Sequence, residues 1–311
     1  MNPANSAGDE QFPSPPSPAG RVRPTTHRLP LHVILFLATL GTTILAGSLF
    51  HVEDAPPSDQ WLGIALHPAR WLPGVPYALS VLTILLAHEL GHYFACRFYQ
   101  IPVSLPYFLP GLPILGTFGA FIRIRGSIPS RKALFDVGIA GPLAGFVVAL
   151  PFILYGMSRS RILLPSEAGD TEFLLGFPLL FLGVLRWFFP HVPEGAVLNL
   201  SPYLSAAWVG MLATSLNLLP AGQLDGGHIC YAISRRFHAR LSRATLVGVI
   251  LLGALHRAWL VWAVTLLFLG ERHPPLVDES EPLSPGRRAL AILALVIFLL
   301  SFMPVPIELL S

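Results

Sequence analysis

The chain has 311 residues, 53% of them hydrophobic and only 12% charged, with a formal net charge of +3. Soluble domains carry about 25% charged residues, so this composition excludes an ordinary soluble enzyme and points to a polytopic membrane protein. The arginines flank apolar runs, a topology-setting pattern that does not suit a nucleic-acid surface, and two cysteines, Cys96 and Cys230, are too few for a disulfide framework.

Residues 1–28 are rich in Pro, Ser, Gly and Ala and read as a disordered tail. The rest, 29–311, reads as one membrane domain with its core at about 75–230. Apolar runs fall at 29–50, 75–99, 133–157, 173–189, 198–219, 244–269 and 289–310. About 20 helical residues cross a bilayer core, so the expectation is an all-α protein with about six transmembrane helices. The first run is about as long as a full span, so no cleavable signal peptide is expected. Arg21, Arg23 and Arg28 precede it and Glu53, Asp54 and Asp59 follow it. That asymmetry predicts a cytoplasmic N-terminus in a multi-pass cell (inner) membrane protein.

The second run carries His88-Glu89-Leu90-Gly91-His92. HExxH on a helix sets two imidazoles one turn apart on one face, where both can hold a single zinc ion. The carboxylate between them is placed to act as a general base. Tyr77 to Ala87, just before it, contains no charge. A zinc site at that depth implies peptide hydrolysis within or beside the bilayer.

Pro102, Pro106, Pro110 and Pro113 then prevent a helix between Gln100 and Gly126. Gly116 to Arg125 reads as a short strand or hairpin near the site. A free strand edge there would hold an extended peptide by strand addition. Gly116, Phe118, Gly119, Ala120 and Ile122 are thus the candidate substrate-binding residues. In the next run, Gly141 and Gly145 form a GxxxG pair suited to close helix packing, with no chemistry assigned to them.

Catalytic zinc needs a third protein ligand. Asn217 to His228 ends an apolar run with Pro and Gly, and Asp225 sits there with almost no other acid in or near a span. An ionisable residue at membrane depth is a functional candidate, which makes Asp225 the expected third ligand and His228 its alternative. Asp225 reaches the zinc only if 198–219 runs back toward the cytoplasm, so 173–189 should not cross. For 244–269 two readings stay open, one tilted span or a re-entrant hairpin.

His88-Glu89-Leu90-Gly91-His92, followed by Asn217 and then Leu224-Asp225-Gly226, resembles the site-2 protease family of intramembrane zinc metallopeptidases. Gly116 to Ile122 is similar to that family's non-helical segment, and Ala140-Gly141-Pro142-Leu143-Ala144-Gly145 to its third-helix motif. Arg272-His273-Pro274-Pro275 resembles a segment of a bacterial and plastid-like branch. The resemblance implies one Zn2+ per chain held by His88, His92 and Asp225, with Glu89 as general base. It also implies Asn217 as a contact to substrate or oxyanion, and membrane-embedded protein substrates as partners. Many members carry an outer PDZ domain, for which no loop here is long enough. The competing readings are a zinc-binding scaffold without activity and a transporter with a metal site.

Overall fold

The computed structural model describes residues 29–51, 63–64, 66–111, 115–164, 173–269 and 273–309. The expected tail, 1–28, lies outside them. The described chain is mostly helical, as expected. Helix α1 is Leu29–His51, and a 3-10 turn, Pro68–Gly74, leads into α2, Val75–Phe98. Strands β1 (Tyr107–Pro110) and β2 (Thr117–Phe121) precede α3, Arg131–Arg159. Then come β3 (Arg161–Leu163), β4 (Phe173–Leu175), α4 (Leu179–Phe188) and β5 (Val197–Asn199). Helices α5 (Pro202–Asn217), α6 (Asp225–Ile233), α7 (Arg235–Leu255), α8 (Ala258–Leu269) and α9 (Pro285–Ser301) complete the helical part, and β6 (Ile307–Leu309) follows.

Among the described residues four helical segments are long and apolar enough to cross a membrane: α1, α2 with its leading turn, α3 and α7. Their outer faces carry exposed apolar side chains such as Leu79, Phe94, Val147 and Leu251, the surface that lipid covers in place of water. Helices α2, α3 and α5 make the central layer, packed through Tyr77, Ile84, Ile153, Met157, Leu204 and Trp208.

The run at 173–189 does not form a helix long enough to cross. Its helix is only 10 residues, about 15 Å at 1.5 Å per residue. Moreover, β3 pairs antiparallel with β5, so the chain leaving α3 and the chain entering α5 meet at one end of the bundle. Ser201 Oγ locks this junction by donating to the Gly156 carbonyl at 2.7 Å. Helix α5 therefore runs antiparallel to α3, as a shared zinc requires.

Three features differ from the sequence expectation. The run at 244–269 breaks at His256 and Arg257, and α7 begins at Arg235, so the first arm of the resulting hairpin is a full 21 residues. The last run is helical only to Ser301, and its tail forms β6, which pairs with β4. Two strand pairs beyond the expected β1–β2 hairpin thus exist, both between segments too far apart in sequence for local pattern to announce them.

Candidate metal centre

His88 and His92 lie one turn apart on α2, both buried. They sit about 15 Å and about 9 Å, respectively, from the helix end at Phe98, at 1.5 Å per residue. Asp225 is the first residue of α6. Its Oδ2 lies 3.2 Å from His88 Nε2 and 3.2 Å from His92 Nε2. Ligands about 2.0–2.2 Å from one tetrahedral zinc stand about 3.4 Å apart, so the spacing is that of a shared ion. Among the described residues these three form the one group of its kind, all their ligand atoms lying within 4.8 Å of one another.

The surroundings fit a metal. The Val137 carbonyl accepts a hydrogen bond from His92 Nδ1 at 2.7 Å. That bond fixes the ring's orientation and leaves Nε2 free to ligate, the usual arrangement behind a metal-bound histidine. The Asn217 side-chain amide, at the last residue of α5, ends 3.3 Å from His88 Nε2.

Local sequence explains how Asp225 gets there. Helix α5 stops at Asn217, and the chain turns through Leu218 to Leu224 before α6 starts. A Cβ on Gly226 would lie 2.0 Å from the Leu218 carbonyl oxygen, so the loop can fold back over α6 only because that residue is glycine. Helix α7 holds the loop, with Ser242 Oγ accepting from the Gly222 N–H and His238 Nε2 donating to its carbonyl.

The opposite wall is α3. A Cβ on Gly141 would lie 2.0 Å from His92 Nε2, and one on Gly145 would lie 3.1 Å from His88 Cβ. The GxxxG pair does permit close packing, as its spacing suggests. What it packs against is the pair of histidines themselves, a role that sequence reasoning missed.

A cavity of about 190 Å³ opens on the three ligands and Glu89. Asn217, Gln223, Leu224 and His228 also line it, as do Ala120, Phe121, Ile122, Ile124 and Val137. The candidate substrate segment is therefore only partly at the site. Ala120 and Ile122 reach the cavity, and the Ile122 backbone lies against the Glu89 carboxylate. Strand β2 pairs with β1 on one edge, and no strand pairs its other edge among the described residues. Phe118 is exposed, and Gly119 sits at φ +100° with open space around it. Gly116 is elsewhere, away from the cavity. Its φ of +73° turns the chain against α1, where Thr42 Oγ1 donates to its carbonyl.

His228, the alternative ligand, lines the cavity, but its Nδ1 is engaged at 2.8 Å with His273 Nε2. Neither this His–His contact nor Gln223 was anticipated. The only available signal was the unusual His273-Pro274-Pro275 run.

The protein-family comparison decides the identity: residues 76–255 match the model of peptidase family M50, the site-2 protease family. The chain belongs to that family. It is 34% identical to the probable zinc metalloprotease EGY2, chloroplastic, of Arabidopsis thaliana over 242 residues, covering 75% of this chain and 42% of that protein. It is 29% identical to the probable zinc metalloprotease EGY1, chloroplastic, of the same plant over 301 residues, 88% of this chain and 52% of that protein. A probable zinc metallopeptidase EGY3, chloroplastic, is 28% identical over 286 residues, 87% of this chain and 48% of its own length. This M50 chain spans about half the length of the curated relatives it matches.

Proposed function

We propose that this protein is a zinc-dependent endopeptidase that cuts membrane-embedded segments of other proteins within the bilayer. One observation carries the reading. Asp225, from another helix, lies 3.2 Å from both histidines of an HExxH motif, inside a bundle built to cross a membrane. The family membership and the relatives named as zinc metalloproteases support the same reading.

His88, His92 and Asp225 would hold the ion. Zinc so held polarises a carbonyl and lowers the pKa of water bound to it to about 7. Glu89, buried beside the ligands, accepts the proton of the attacking water and returns it to the leaving amine. Asn217 donates its amide to the oxyanion as charge develops. A substrate helix must unwind before attack, because helical carbonyls are shielded. The free edge of β2 offers backbone groups to the unwound segment, which then passes Ala120 and Ile122 to reach the cavity. In this reading the protein is a multi-pass inner-membrane enzyme with a cytoplasmic N-terminus. Its partners are membrane-anchored proteins and not nucleic acid.

Glu89→Gln tests the mechanism, since it keeps the shape and removes the base. We expect full zinc content and a loss of hydrolysis of at least about 10²-fold. Proteomics of the membrane fraction should then find the uncut substrates accumulating with the variant. Near-normal turnover by the variant would overturn the protease reading.

A further inference from the structure

The molecule has a second and larger cavity, about 640 Å³, outside the metal centre. That volume falls within the range of small-molecule sites, about 300–1,000 Å³. One wall is a single face of α9, on which Arg288, Ala291, Ile292, Leu295 and Phe298 line the cavity. This stripe descends about 15 Å along the helix, at 1.5 Å per residue. Facing it are Ile229, Cys230 and Ile233 of α6, with Phe237 and Leu241 from the start of α7. The slot opens to the outside of the bundle along an apolar rim, since Ile233, Phe237, Ile292 and Leu295 are all exposed.

Charge gathers at one end only. Arg131 opens α3 and Arg288 lies in the first turn of α9, and both line the slot, whereas no acidic residue does. Arg131 sits 3.8 Å from Glu279, yet its buried Nε has no hydrogen-bond partner among the described residues. Arg288 is exposed, and no hydrogen bond or ion pair engages its guanidinium among the described residues. Its neighbour Arg287 is instead fully occupied by Asp136.

We infer that this slot binds one anionic phospholipid, with its phosphate at Arg131 and Arg288 and an acyl chain along the α9 stripe. An apolar channel alone would suit any hydrocarbon. Two guanidiniums with donors to spare at its mouth select a phosphate, and basic pockets between membrane helices are where anionic head groups are held.

Native mass spectrometry of the whole purified protein tests the site with phosphatidylglycerol against phosphatidylcholine of the same chains. We expect one phosphatidylglycerol to be retained in preference to phosphatidylcholine. The Arg131→Gln/Arg288→Gln double variant should bind it about 30-fold more weakly, the combined effect of two basic residues near a bilayer surface. Ala291→Trp, which narrows the slot without touching the arginines, should also displace the lipid. Zinc content serves as the folding check for each variant. Equal retention of the two lipids, or undiminished preference in the double variant, would overturn the site. Lipid retained in Ala291→Trp would mean a head-group contact with no chain in the slot, which also overturns it. If phosphatidylglycerol has no effect and Ala291→Trp instead dissociates a dimer, the occupant is a second copy.

Discussion

At Gly141 a single added methyl group would sit 2.0 Å from the ring nitrogen of His92 that faces Asp225. Nothing can shift cheaply there, because the ring is pinned on its other side by the Val137 carbonyl. Gly141→Ala should therefore weaken zinc retention by about 10–100-fold, the usual cost of disturbing what orients a metal ligand. At Gly145 the nearest atoms of His88 are 3.1 Å away, so Gly145→Ala should cost distinctly less. Competition with a chelator measures both, and equal losses would show that α3 does not position the rings separately. Asp225→Ala removes an acceptor shared by both histidines and should abolish activity together with tight zinc binding. Full zinc content in that variant would take Asp225 out of the ligand set.

The α8–α9 connection lies as a strap across the bundle. Val277 N–H donates to the Ile128 carbonyl and Asp278 N–H to that of Pro129, while Lys132 pairs with Glu281. Beyond the strap, Arg287 of α9 grips Asp136 of α3 through two nitrogens, at 2.8 and 2.6 Å, and Tyr99 donates to the same carboxylate. Bonds to a charged group contribute about 1.5–3 kcal/mol. Asp136→Asn should thus lower the bundle's stability by about that range, read from thermal or denaturant unfolding in detergent.

Two strap carboxylates give a pH signature. The Tyr231 hydroxyl holds Glu279 below its usual range, and the Ser280 N–H does the same for Asp278. Because folding lowers both values, their stabilisation is fully present above the ordinary carboxylate values of about 4. It is lost as pH falls through the lowered folded values. Amide exchange at 276–283, corrected for intrinsic rate, should stay protected from pH 8 to 5 and loosen below about 4. Protection unchanged to pH 3 would mean that the backbone bonds and the Arg287 grip alone hold the strap.

For the molecule as a whole, the β3–β5 pair gives a labelling pattern. Gln100, after α2, and Arg240, early in α7, are exposed near the metal-centre end, whereas Glu194 is exposed beside β5 at the other. Cysteines at Gln100 and Arg240 should react with an impermeant reagent from one face and a cysteine at Glu194 only from the opposite one. Labelling of all three from one side would be incompatible with α5 carrying Asp225 back to His88.

Much of this was legible in the sequence because the signals are local. HExxH states its geometry in five residues, since helix periodicity alone puts His88 and His92 on one face. The scarcity of charge announces the membrane, and four prolines rule out a helix where the β1–β2 hairpin stands. Asp225 could be inferred because an acid is costly at that depth unless something uses it. The sequence could not say what the glycines of α3 face, because GxxxG specifies a close approach and not the partner. Nor could it join β3 to β5, β4 to β6 or His228 to His273, pairs separated by dozens of residues that only folding brings together. Nor could it say that Gly116, a substrate-binding candidate, turns the chain against α1, because a glycine at positive φ reads the same whether it faces a ligand or packs a chain on a helix. The break at His256 and Arg257 was visible as an interruption, but whether it tilts a helix or reverses it depends on packing. There, a Cβ on Gly253 of α7 would lie 2.6 Å from the side chain of Leu260 of α8. Motif and composition are properties of neighbours along the chain. The placement of Asp225 3.2 Å from both histidines, and of two arginines at the mouth of an apolar slot, comes from long-range packing that only the tertiary structure decides.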